Sequence, residues 1–330
     1  MLLSSFTSVA TVLLPFLTAY QTDKVMVPFL AGDLFLVLEK LMRRFMKADA
    51  IKGTTMATIT SLDPDNKALH VGHSRIDIGF AAEKSMKSLL SGGKISEKQV
   101  LEVRLDCKKF VVALVKKLLE KSPLTHPLVR ALQSLDPQEM ASAKDHCEKK
   151  FKRVLTHLVN SSKIQVSACD EILSQFHTFL HTVIPKNHAE YVNFEPFSED
   201  NRLDALLFRD MANNSQLCQL WTVVRDILLL SHGQASVERG FSVNRQLEVE
   251  NLKEDSLVAQ RLIHDHLRAV GGIANVELSK PLLASVASAR QRYSMYLDDQ
   301  RKERLQEDGM RKGRLSWMTL NSRRSAGVPL

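Results

Sequence analysis

Apolar residues recur along this chain every three to four positions, the spacing of helices that bury one face. No window alternates apolar and polar side chains as a half-buried strand does. Between residues 25 and 49, Leu34, Val37, Leu38, Leu41, Met42 and Phe45 form one stripe, and Asp33 is placed to cap its start. Residues 50–72 lose the pattern and contain the turn sequence LDPDN. A helix over 77–91 is predicted to stop at Gly92 and Gly93. Ser96 and Gln99 have the spacing of a capping box, and the helix behind them should reach Lys121 with Val100, Val103, Cys107, Phe110, Val111, Leu114 and Leu118 on one side. Pro123 and Pro127 break the chain, a short helix over 128–135 stops at Asp136-Pro137, and further helices are expected over 138–160 and 167–184.

The pattern therefore predicts a mainly α protein, with a helical array over residues 1–185. The stretch PKNHAEYVNFEPFSEDNR carries two prolines, three asparagines and several acids, so 186–202 reads as a linker. A second helical unit is expected over 203–270, closed by Gly271 and Gly272. Residues 271–330 form a basic tail in which 286–312 has the character of a charged, exposed helix and the last ten residues that of a disordered end.

Composition agrees with helices and a real core: 44% of residues are apolar and only 6% aromatic. Lys and Arg exceed Asp and Glu by 8, a balance that suits a polyanionic partner such as DNA. The last 50 residues concentrate that excess, with ten basic residues against five acidic ones. Arg311, Lys312 and Arg314 are the candidate nucleic-acid contacts there. Glu307 and Asp308 stand four residues before Arg311 and Lys312, so pairing along a solvated helix competes with phosphate contact. Cys107, Cys147, Cys169 and Cys218 lie too far apart for a zinc knuckle and read as reduced thiols of a nuclear or cytoplasmic protein. The first 20 residues are apolar but lack a basic start and a small-residue cleavage site, so they read as a core helix of a protein that is not secreted and has no membrane partner. No P-loop, dinucleotide fingerprint or nucleophile elbow points to a small-molecule substrate. The 11 histidines read as scattered; His264 and His266, two apart, point in different directions on a helix.

The most informative stretch is SQLCQLWTVVRDILLLSHGQASVERGFSVNR, residues 215–245. Leu217, Leu220, Trp221, Val224, Ile227 and Leu228 form one apolar face, Ser231 to Gly233 break it, and a second helix follows in which Val237 and Phe241 share a side. Glu238 and Arg239 fall in its first turn, where the helix dipole favours a carboxylate.

Here the chain resembles the C-terminal dimerisation region of hAT-type DNA transposases. That region has an apolar helix with a Trp, a polar break and a run close to Ala-Ser-x-Glu-Arg-x-Phe-Ser. The matching residues are Trp221, Ala235, Ser236, Glu238, Arg239, Phe241 and Ser242, followed by the apolar segment LVAQRLIHDHL that contains Leu262. Upstream, FLTAYQTDKVMVPFL and SPLTHPLVRALQSLDP resemble parts of the family's helical insertion, in the same order. The resemblance spans about residues 12–270.

The resemblance implies an RNase-H-like catalytic domain in which two Asp and one Glu hold divalent metal ions for strand cleavage and transfer. Glu238 matches the Glu. The two Asp would precede the insertion, so the expectation is a chain without its own catalytic site, needing no cofactor unless upstream Asp residues supply a Mg²⁺ or Mn²⁺ site. The resemblance thus implies a transposase-derived protein, not an enzyme as this chain, whose activity is protein dimerisation. The 203–270 unit would be the helical C-terminal part of the RNase-H-like domain. It would associate with a second copy, or a related hAT-derived chain, through Leu217, Trp221, Val224, Leu228, Val237, Phe241 and Leu262; the competing expectation is that the Leu217, Trp221, Val224 and Leu228 face packs as core against the helices of residues 1–185. Two alternatives stand beside this expectation: a piece of an active metal-dependent transposase, and a nuclear protein that binds DNA or chromatin.

Overall fold

The computed structural model describes residues 1–233, 235–249 and 252–325; the side chains at 235–236, 307–309 and 311–325 lie outside that description. The protein is mainly helical, and among the described residues the only β pairing is one isolated bridge between Met46 and His70. Among the described residues, twelve helices have eight or more residues: α1 Leu2–Ala19, α2 Val27–Met42, α3 Phe80–Ser91, α4 Glu97–Lys121, α5 Lys144–Asn160, α6 Cys169–Thr178, α7 Leu203–Met211, α8 Cys218–Leu228, α9 Ala235–Leu247, α10 Glu254–Ala269, α11 Lys280–Ala287 and α12 Ala289–Ser325.

Local signals place several helix ends. The Ser96 side chain accepts from the Gln99 amide at 3.3 Å and the Gln99 side chain accepts from the Ser96 amide at 2.9 Å, the reciprocal cap that starts α4. Asp136 accepts from the Gln138 amide at 3.0 Å and starts a short helix, Pro137–Ser142, separated from α5 by Ala143. The single helix expected over 138–160 is thus two. Gly79 precedes α3 with φ of +89°, and a Cβ there would collide with Ser8, so both backbone and space require glycine.

Asp33 does not cap. Pro28 occupies the first turn of α2, where its missing N–H costs nothing, and the helix begins six residues before Asp33. Asp33 instead lies within α2 and accepts from the Tyr20 hydroxyl at 2.8 Å. α2 is buried on two sides. Val27 and Phe29 join one core cluster, and Leu34, Val37, Leu38 and Leu41 join a second with Phe45, Ile59, Val111 and Val115. A third cluster, Ile76, Ile78, Ala82, Met86 and Cys107, packs α3 on α4.

The chain divides into two compact units, Met1–Ser242 and Val243–Leu330. The predicted boundary at 186–202 falls inside the first. Residues 188–192 are helical, and Tyr191 and Phe194 are buried in the same cluster as α5, α6, α7 and α8. The polar composition that suggested a linker belongs to the outward side of this stretch. The helical array and the 203–228 segment therefore share one core.

α1 meets the core along one face only, through Val9, Val12, Leu13 and Phe16. It is long and apolar enough to cross a membrane, yet only Ser5 and Val9 are buried, and Leu3 is 77% exposed. In the second unit no described residue is buried. Gly271 and Gly272, both at positive φ, end α10 as predicted. α12 continues to Ser325, past the expected end at 312; residues 326–330 lie outside the described residues.

Candidate functional site

The residues predicted to form an association face separate into two groups. Leu217, Leu220 and Val224 are fully buried, Leu228 is 9% exposed, and all belong to the core built by α5, α6 and α7. The Leu220 amide donates to the Gln175 side chain of α6 at 2.9 Å, which ties α8 to α6. Trp221 is partly buried and meets Phe208 of α7 edge-on, with ring centroids 5.7 Å apart. The stripe Leu217, Trp221, Val224 and Leu228 is therefore an interior face, covered by helices of the same chain, and not a docking surface. Val237, Phe241 and Leu262 form the other group and are 54%, 67% and 66% exposed.

Glu238 lies in the first turn of α9 and is exposed. Among the described residues it makes no ion pair; its neighbour Arg239 does, with Asp23, and also donates to the Gln21 carbonyl at 3.2 Å. His232 contacts the Tyr20 carbonyl at 3.2 Å and the Tyr20 ring. The break and helix of the 215–245 stretch thus dock on the turn that follows α1.

Two acids, Asp210 and Asp33, each face the hydroxyl of a buried tyrosine. Asp210 accepts from the Tyr191 hydroxyl at 2.8 Å and pairs with Arg209 at 2.7 Å. Burial pushes its carboxyl up, but the bonds from Arg209 and Tyr191 outweigh burial and hold it below its usual range. Burial raises the Asp33 carboxyl and wins over the Tyr20 bond that lowers it. Both tyrosines are pushed up, by burial first and then by the carboxylate each one faces.

A third grouping has no counterpart in the predicted sites. Glu148 of α5, His177 of α6 and His181 just beyond it bring three donor atoms within 4.8 Å of one another. His177 Nδ1 is 2.7 Å and His181 Nε2 is 3.5 Å from Glu148 Oε1. The signal for two of the three was present in the sequence as His-x-x-x-His at 177–181, spacing that puts both imidazoles on one helix face. The third ligand lies 29 residues earlier on another helix and has no local signature. His264, by contrast, pairs with its neighbour Asp265 at 3.4 Å.

In the tail, Arg301 pairs with Asp298 at 3.7 Å and Lys302 with Asp299 at 3.3 Å, so part of its positive charge is matched along the helix. The side chains of Arg311, Lys312 and Arg314, and the pairings expected for them, lie outside the described residues. No protein-family model, curated protein or solved structure matches the chain.

Proposed function

We propose that this chain is a transposase-derived association module that pairs with a second copy of itself, or with a related hAT-derived chain, through the exposed apolar residues of α9 and α10. The observation that carries the reading is the contrast within one stretch of sequence. The apolar face of α8 is buried in its own chain, whereas Val237 and Phe241 on α9 and Leu262 on α10 stand in solvent. Fully burying each side chain of this size is worth about 1.5–3 kcal/mol, so three of them give a partner a substantial driving force. The second unit adds weight, because helices with no buried described residue do not offset the entropy of ordering them.

On this reading the chain does not cut DNA by itself. Strand transfer at Glu238 would need two further carboxylates, with their Mg²⁺ or Mn²⁺, brought by another segment or chain. The RNase-H-like identity of the 203–270 region rests on the resemblance, whereas DNA contact by the tail rests on its basic charge and nuclear or cytoplasmic residence on the widely spaced cysteines.

The test is light scattering of the full chain at micromolar concentration. The expected result is a dimer that Phe241→Ser combined with Leu262→Ser converts to a monomer with unchanged helix content. A monomeric wild-type protein overturns the proposal.

A further inference from the structure

We propose that Glu148, His177 and His181 form a binding site for a divalent transition-metal ion of the zinc class. The inference is independent of the association reading, because all three residues lie within the first unit and away from α9 and α10 in sequence.

Core packing joins the two helices that carry the three residues. α5 and α6 meet through Phe151 and Phe176, both fully buried and stacked with ring centroids 4.1 Å apart. Glu148 lies one turn before Phe151, and His177 directly follows Phe176. His181 sits in a π-helical turn, Phe179–Val183, in which the Ile184 amide bonds the Phe179 carbonyl five residues back. Pro185 supplies the physical cause. In a regular α-helix its ring would meet the carbonyl of His181, four residues earlier, and the wider turn relieves that clash. The turn keeps the two imidazoles on one side, with ring centroids 4.2 Å apart and planes inclined by 33°.

The two donor spacings to Glu148 Oε1 are within reach of a tetrahedral ion, and all three donors lie within 4.8 Å of one another. Metal–donor bonds of about 2.0–2.2 Å at tetrahedral angles place donors about 3.3 Å apart. The 3.5 Å between His181 Nε2 and Glu148 Oε1 already has this value. The 2.7 Å between His177 Nδ1 and Glu148 Oε1 is a hydrogen bond that must open by about 0.6 Å. That change needs only a small side-chain rotation, since the imidazole of His177 is 61% exposed. Two imidazoles and one carboxylate leave the fourth position of a tetrahedral ion for water. This donor set selects zinc, cobalt, nickel or copper over calcium and magnesium, which require more oxygen ligands. A bound ion would clamp the start of α5 to the end of α6.

The full chain, freed of metal by chelation, is titrated with Zn²⁺ by calorimetry and with Co²⁺ by visible absorption. The expected result is one ion per chain and a rise in melting temperature. His177→Ala and His181→Ala should each weaken Zn²⁺ binding at least about tenfold, because even outer-shell partners of metal ligands are worth that much. Mg²⁺ and Ca²⁺ should leave the melting temperature unchanged. Both histidines are solvent-facing, so the variants should keep the helix content of the wild type; X-ray absorption of the Zn²⁺-loaded wild type, showing two imidazole donors, is a check that needs no variant. Absence of binding, wild-type affinity retained in both variants, or an absorption spectrum without two imidazoles overturns the proposal.

Discussion

Asp136 shows how one side chain can serve local structure at the expense of global stability. Its carboxylate caps the Pro137–Ser142 helix, yet burial raises its pKa to about 6 from an ordinary 3.8, and the bond from the Gln138 amide does not offset that. A folded-state pKa above the unfolded one means that the protonated form fits the fold. The stabilisation is fully present below the ordinary carboxylate range and is lost as pH rises through about 6. At neutral pH the charged form costs on the order of 3 kcal/mol. Asparagine caps as well as aspartate and carries no charge. Asp136→Asn is therefore expected to stabilise the protein at pH 7.5 by up to about 3 kcal/mol, a gain that shrinks toward zero near pH 4. Denaturant titrations at the two pH values measure it, and an equal gain at both would show that charge is not the cause.

At the scale of elements, α8 and α9 make the sharpest comparison. Both carry apolar residues at helical spacing. α8 is covered by α6 and α7, whereas Val237 and Phe241 of α9 are not covered. Leu220 is fully buried, so Leu220→Ala should cost about 2–5 kcal/mol by leaving a cavity. Because the cavity lies inside one chain, the folded variant should keep the wild-type proportion of dimer in light scattering. A variant that loses dimer while keeping its stability would place α8 at the interface. The π-helical turn after α6 belongs to the same scale: Pro185 sets it, and His181 takes its position from it.

For the whole molecule, the first unit holds all three core clusters and the second holds no buried described residue. Deleting residues 252–330 should therefore leave the thermal midpoint and helix signal of the first unit nearly unchanged, because no core contact is removed. The same deletion should weaken self-association by removing Leu262. Calorimetry with light scattering checks both, and a large drop in the midpoint would mean that the second unit contributes to the stability of the first.

The amino-acid sequence by itself determined the mainly α class, the reciprocal cap at Ser96 and Gln99, the stop at Gly92, and the end of α10 before Gly271 and Gly272. These are effects between residues a few positions apart, and a helix carries them without help from the rest of the chain. It also showed which residues of α8 and α9 share a face. Only the tertiary structure decided what covers each face, because periodicity reports the direction of a side chain and not its neighbour. That is why the Leu217–Leu228 stripe read as an interface and is interior, and why residues 186–202 read as a linker although Tyr191 anchors them in the core. It is also why Glu148 joins His177 and His181: 29 residues separate the carboxylate from the first histidine, and the packing of Phe151 on Phe176 brings them together.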